Sequence, residues 1–514
     1  MHLGCVIVRL QGCAVSGIKA HAVQTEVHLI QGAKFHLVGL PDSAMKEAAV
    51  RLFSAIVHSG FRYPGKRITI NMAPADIPKE GAAYDLPMAL GILGASGQCP
   101  VDGTDEYLIM GELSLDGRLM PVKGALSMAL FARENALKGC ILPSANAQEA
   151  ALVGGIPIYG MDDLQQVVAF FKGKVPLPVK REGKNSDSFH ISSGLDFSEV
   201  KGQAEIKRAM EIAAAGGHNL LMIGPPGSGK TMLARRLAGI LPPMSFEEAL
   251  ETTQIHSVAR RKEESSELLE SRPFRAPHHS ISDAALVGGG AQPQPGEISM
   301  AHNGILFLDE LPEFRRSVLE VLRQPMEEGM VTIARARSVV DYPARFMLVA
   351  AMNPCPCGYQ SHPGRNCSCP ERAIERYMSK VSGPLMDRID MHLEVLPVEA
   401  SQLQDKAPAE SSEAIRQRVV KARWRQRDRL KDSGVHSNSG MSKKQIDSFC
   451  ALDSAGSALL RTAMERMQLS ARAFDKILKI GRTIADLEGM ENIKDTHLAE
   501  AIQYRSLDRK TWKQ

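Results

Sequence analysis

The chain has 514 residues, of which 44% are hydrophobic and 23% charged, with a formal net charge of +4. At about 150 residues per domain, that length accommodates roughly three domains, and the composition is that of a globular protein. No apolar run reaches the roughly 18 residues that a membrane span requires, and no cationic segment followed by an apolar core marks a secretory leader. The charge is too small to announce a nucleic-acid partner, so any such case must rest on local charge. The expected location is the cytoplasm, where thiols stay reduced.

Residues 1–172 mix strand-like runs ("AKFHLVGL", "KRITINMAP", "EYLIMGELSLDG") with helical ones ("SAMKEAAVRLFSAIVHSG", "KGALSMALFARENAL"). Residues 173–190, within "KGKVPLPVKREGKNSDSFH", lack apolar periodicity and read as a linker. Residues 191–397 alternate helices with the short apolar runs "NLLMIG", "GILFLDE" and "ARFMLVAAM". Such runs fit a parallel sheet covered on both faces. From 398 to 514 the chain reads helical. The expected fold class is α/β: a phosphate-loop core with a parallel sheet, a helical C-terminal region and an α+β first domain.

"GPPGSGKT", Gly224, Pro225, Pro226, Gly227, Ser228, Gly229, Lys230 and Thr231, fits G-x-x-x-x-G-K-[ST] between a strand and a helix. Its amides can wrap phosphates at a helix N-terminus. Lys230 can reach the β- and γ-phosphates of ATP, and Thr231 can offer its hydroxyl to Mg²⁺. In "GILFLDEL", Asp309 emerges from a buried strand as the Mg²⁺ carboxylate, and Glu310 follows as the residue that polarises the attacking water. Asn353 ends the next apolar strand, placed to orient water or the γ-phosphate. His278 and His279 form a polar pair whose bland reading is structural.

"MVTIA" and "SVVDY" read as a hairpin with Arg335 and Arg337 at its tip. Two arginines there can hold a phosphate backbone, and a solvated tip is the competing reading. The run "KARWRQRDRLK" spreads charge around a helix, and a solvated face is favoured over a DNA contact. Cys355, Cys357, Cys367 and Cys369 gather four of the nine cysteines as C-x-C, nine residues, C-x-C. Four thiolates suit structural Zn²⁺. C-x-C departs from the usual C-x-x-C, and His362 can replace one sulfur. Free thiols and disulfides are the alternatives. Lying between Asn353 and Arg388, the cluster is expected to pin a loop, with metal loss impairing assembly or ATPase coupling before ATP binding.

The order of these motifs, with "VKGQAEIKRAME", "LMDRID", "RAPHHSISDAALVGGG" and "NPCPCG", resembles the AAA+ ATPases of the magnesium-chelatase and minichromosome-maintenance branch. It is most similar to the YifB family of magnesium-chelatase-like proteins, which includes ComM, over nearly the whole chain. The resemblance implies that Arg388 is an arginine finger acting on a neighbour's ATP and that Arg472 in "LSARAF" is sensor 2. It implies a homohexamer and pore hairpins. It also implies an ATP-dependent DNA motor for branch migration, working on single-stranded and branched DNA in natural transformation, alongside recombination proteins. The first block resembles the Lon protease domain. Ala83 stands at the nucleophile position and Met128 at the lysine base, which implies a peptidase-inactive unit. A protein unfoldase and a chelatase-type subunit are the alternatives.

Overall fold

The computed structural model describes residues 7–79, 81–180, 194–259, 268–290, 293–335, 338–360, 362–398 and 409–507. The chain divides into two compact units: Met1–Ser188 with Ala249–Leu269, and Phe189–Glu248 with Glu270–Gln514.

The first unit is built on a seven-stranded mixed sheet. Its strands are β1 (Ile7–Ser16), β2 (Lys19–Ile30), β3 (Phe35–Val38), β4 (Arg67–Ala73), β5 (Tyr107–Ile109), β6 (Gly139–Pro143) and β7 (Ile158–Met161), in the order β3-β4-β2-β1-β5-β6-β7. β1 and β2 form an antiparallel hairpin from Ile7↔His28 to Ser16↔Lys19. Helix α1 (Asp85–Ala95) is buried from Asp85 to Gly94. Gly91 permits its approach to the sheet, because a Cβ there would lie 2.4 Å from Val27 Cγ2. Ala83 precedes α1, and its carbonyl accepts from the Gly111 amide at 2.8 Å. Met128 is buried on helix α2 (Ala125–Glu134). The buried Asp85 carboxylate is held by Arg51 at 2.8 and 3.1 Å.

The second unit carries a five-stranded parallel sheet. Its strands are β8 (Leu220–Ile223), β9 (Phe274–Arg275), β10 (Ile305–Leu308), β13 (Met347–Met352) and β14 (Met391–Glu394), in the order β9-β10-β13-β8-β14. A separate antiparallel hairpin, β11 (Met330–Arg335) with β12 (Ser338–Pro343), lies between β10 and β13 in the chain. Every residue of β8, β10 and β13 is buried. Each large aliphatic side chain there contributes roughly 1.5–3 kcal/mol, and both faces need cover. Helices α3 (Ala204–Gly216) and α4 (Lys230–Ile240) supply part of that cover.

Two boundaries differ from the sequence expectation. Residues 249–269, expected inside an uninterrupted 191–397 core, group with the first unit. Within helix α5 (Phe246–Ala259), Gln254 Nε2 donates to Ser127 Oγ at 3.0 Å, and Ser257 donates to Glu149. The helical region expected at 398–514 is not a separate body. Its helices α7 (Ser412–Leu430), α8 (Ser454–Met467), α9 (Ala471–Glu488) and α10 (Asp495–Gln503) follow α6 (Glu371–Met378). Ile415, Val419, Ile477 and Ile484 share one hydrophobic core with Leu220 and Leu237.

The basic run on α7 is divided: its four arginines have partners within the second unit, while Lys421 and Lys431 stay exposed. Arg423 donates to the carbonyls of Ala214 and Ala215 at 2.8 and 3.0 Å, capping the C-terminal end of α3, where a cation is favoured. Arg425 donates to Asp486 O at 2.6 Å, Arg427 pairs with Glu248 at 3.4 Å, and Arg429 clasps the buried Asp486. Between the arginines, Trp424 stands 70% exposed.

A buried carboxylate ties the sheet to these helices. Asp390 accepts from the Asn219 amide at 2.8 Å and pairs with Lys476 of α9 at 2.9 Å, with His218 Nδ1 at 3.8 Å. Burial alone would raise the Asp390 carboxyl, but Lys476 and His218 outweigh it and hold it well below the usual carboxylate range. A depressed carboxylate stabilises the fold fully above its unfolded pKa and loses that contribution only as pH falls toward the native value. Asp390→Ala, which strands the Lys476 ammonium, is expected to cost about 3–5 kcal/mol in denaturant unfolding at neutral pH.

Candidate nucleotide-binding site

The phosphate loop runs from the end of β8 to the first turn of α4. Gly224 is required by close approach, since a Cβ would stand 2.1 Å from Val395 O. Gly229, at φ +91°, caps α4 in the left-handed region. The parallel register then aligns the strand ends, with Ile223 opposite Met352 and Leu308 opposite Ala350. This brings the residues after each strand to one edge, where open α/β sheets bind ligands.

The expected residues meet there. Lys230 is 9% exposed and donates to Gly224 O at 2.7 Å, Pro225 O at 3.0 Å and Asn353 Oδ1 at 3.3 Å. Burial lowers its ammonium pKa, against the pull of Asp309. The Thr231 hydroxyl donates to Asp309 Oδ2 at 2.7 Å, so the two expected Mg²⁺ ligands are already adjacent. Asp309 Oδ1 accepts from the Glu310 amide at 3.0 Å. Glu310 sits at φ +53°, an uncommon conformation for a residue with a side chain, and its carboxylate is 57% exposed. Oxygen ligands of this kind suit Mg²⁺, which keeps several waters and binds through one or two protein groups plus phosphate.

One neighbour was underrated by sequence. His279 Nδ1 lies 3.4 Å from Glu310 Oε2, and its ring lies against that of His278, tilted by 35° with centroids 4.0 Å apart. The only signal for this was the position of "PHHS" just after β9, the strand beside β10.

Arg388 and Arg472 lie elsewhere. Arg388 Nη2 pairs with Glu327 at 2.5 Å, and Nη1 donates to Pro384 O at 2.7 Å. Arg472 Nη2 is 4.0 Å from the same Glu327 carboxylate. Both arginines line a cavity of about 730 Å³, together with Arg345, Lys476 and Lys479. None of residues 224–231 lines it. The structure therefore groups the two arginines with each other and away from the chain's own phosphate loop. Of the hairpin-tip arginines, Arg337 lies outside the described residues, and only the strand placement of Arg335 is described.

The four cysteines do converge, with sulfurs all within 4.8 Å of one another. Cys355–Cys357 is 3.4 Å, and Cys367 is 3.6 Å from each of them. No disulfide joins the four in this structure. A tetrahedron with Zn–S bonds of about 2.3 Å has edges of about 3.8 Å, so the cluster is compatible with a structural metal ion. Backbone amides aim at the sulfurs: Cys357 N at Cys369 Sγ and Cys369 N at Cys367 Sγ, both 3.4 Å. The Tyr359 amide, first among several donors, lowers the Cys357 thiol to about 6. His362 is not among the clustered ligands.

Comparison with known proteins agrees with this geometry. Residues 196–403 match the family described as magnesium chelatase, subunit ChlI; residues 25–146 match subunit ChlI of Mg-chelatase; and residues 409–505 match the ChlI C-terminal family. The chain is 46% identical over 498 residues to the uncharacterized protein YifB of Escherichia coli strain K12, covering 96% of each. It is 45% identical over 500 residues to the competence protein ComM of Haemophilus influenzae, covering 96% of this chain and 97% of that one. The magnesium-chelatase 38 kDa subunit of Cereibacter sphaeroides is 27% identical over 179 residues, 31% of this chain.

The site geometry separates binding from chemistry. Glu310→Gln should slow ATP hydrolysis by at least about 100-fold while ATP still binds, and Lys230→Ala should abolish turnover. Steady-state ATPase assays paired with equilibrium nucleotide binding check both. A Glu310→Gln protein with full hydrolysis would reject the assignment of the base.

Proposed function

The chain belongs to the YifB–ComM family of magnesium-chelatase-like AAA+ proteins, and from that premise we propose that it is an ATP-driven DNA motor. In this reading it is a cytoplasmic homohexamer that unwinds and branch-migrates DNA, promoting integration of incoming single strands during natural transformation. The ComM relative, matched end to end, carries competence in its name.

The observation that carries the ring is the pairing of Arg388 and Arg472 at Glu327, apart from Lys230 and Thr231. Two arginines removed from their own phosphate loop are available to ATP on another subunit. An arginine reaching in from a neighbour stabilises charge on the transferred phosphoryl group and is worth about 10³–10⁵ in rate. Within a subunit, Lys230 and the loop amides hold the phosphates, and Thr231 and Asp309 hold Mg²⁺. Glu310 then takes the proton of the attacking water while Asn353 orients it. Arg335 and Arg337 contact the DNA backbone from the β11–β12 hairpin, a contact that carries no sequence information.

Ala83 and Met128 offer neither a nucleophile nor a base, so the first unit is read as peptidase-inactive and the cysteine cluster as a structural Zn²⁺ site. Among the described residues no helix is long and apolar enough to cross a membrane.

Adding single-stranded DNA, duplex DNA, unfolded protein or porphyrin to ATPase assays separates the motor from an unfoldase or a chelatase-type subunit. The expected result is stimulation by DNA, with ATP-dependent unwinding of branched substrates that Lys230→Ala abolishes. Stimulation by unfolded protein alone would sink the DNA-motor reading. For action in trans, Arg388→Ala and Asp309→Ala should each be nearly inactive, and mixed rings should recover part of the activity. Mixtures no better than either parent would argue for a finger acting within its own subunit.

A further inference from the structure

The cysteine knuckle and the phosphate loop touch at one buried residue. Gly358 follows Cys357 directly, and its amide donates to Cys355 O at 3.0 Å. It is held at φ +83°, and a Cβ there would stand 2.6 Å from Pro226 Cδ and 2.8 Å from Pro226 Cγ. Carbon atoms rest at about 3.5–4.0 Å, so only glycine admits the loop's proline this closely. The same hypothetical Cβ lies 3.8 Å from Asn353 Cγ, and the Asn353 side chain accepts from Lys230. The knuckle backbone thus backs both the phosphate loop and the residue that braces its lysine.

We propose that the four-cysteine site is a metal-dependent strut behind the phosphate loop, so that nucleotide affinity follows metal occupancy. The inference rests on the zinc reading above. A four-thiolate ion fixes Cys355, Cys357, Cys367 and Cys369 relative to one another, and with them the backbone turn at Gly358. Without the ion, no cross-link ties Cys355 and Cys357 to Cys367 and Cys369 across the intervening loop. Gly358 is then released from Pro226, and the loop loses the wall that holds its phosphate-binding shape. The sequence alone places the first effect of metal loss on assembly or ATPase coupling; the Gly358–Pro226 contact moves it to ATP binding.

The test uses the full chain with thiols kept reduced. Bound zinc is quantified, and the Kd for a fluorescent ADP analogue is measured as isolated, after chelation and after reloading with Zn²⁺, with circular dichroism reporting the fold. The expected result is about one zinc per chain. Affinity should drop at least tenfold on removal and return on reloading. A folded, metal-free protein that binds nucleotide as tightly as before would overturn the strut. A protein that binds no zinc, as isolated or on titration, would overturn the metal reading. Gly358→Ala tests the contact independently of the metal. It should weaken nucleotide binding in the native background, and much less in a Pro226→Gly background, where the clashing ring is gone. An equal loss in both backgrounds would assign the effect to backbone strain at Gly358 and contradict the strut.

Discussion

Everything at the candidate site depends on the parallel register of three buried strands. Because β8, β10 and β13 run parallel and end within two residues of one another, three chain segments far apart in sequence leave the sheet at one edge. Thr231 reaches Asp309 at 2.7 Å and Lys230 reaches Asn353 at 3.3 Å without a ligand to gather them. A slip of one residue in β10 would turn Asp309 from the phosphate loop toward a covered face of the sheet. The apolar character of the strands is therefore not merely ballast. It sets the geometry in which phosphate, Mg²⁺ and water can be handled together.

Charge inside the second unit follows a consistent logic. Asp390, Asp486 and the guanidinium of Arg423 are each satisfied by a partner on a different element. Unpaired, any of them would cost several kcal/mol. Placed this way, they lock α7 and α9 onto the sheet and α3. Arg388 lies two residues before Asp390, so the network that seats the helices also constrains the backbone at Arg388. Glu327 holds Arg388 and stands near Arg472, keeping both guanidiniums on one wall of the cavity.

Much of this was legible in the sequence because the chemistry demands residue types at fixed spacings. The phosphate loop, Asp309, Glu310, Asn353 and the four cysteines announce themselves, and the structure brings each group together. The misses have physical causes. Helix α1 is apolar on every side and contains Pro87 and Gly91, so it shows no 3.6-residue period to read. The arginines of α7 look like a solvated stripe because their partners, Ala214, Glu248 and Asp486, lie on other helices. His279 carries only the signal of its position just after β9, since its partner Glu310 is set by the pairing of β9 with β10. The grouping of residues 249–269 with the first unit depends on Gln254 and Ser257, polar residues that carry no message until their acceptors are placed.

The proposed motor requires that hydrolysis belong to an interface: one subunit would hold ATP, and Arg388 and Arg472 of another would complete the site. The most direct measurement is specific ATPase activity as a function of protein concentration, with oligomeric state followed by light scattering on the same samples. The account predicts activity per chain that rises with concentration and follows assembly, falling to near zero for the monomer. Activity per chain that stays constant down to the monomer would contradict it.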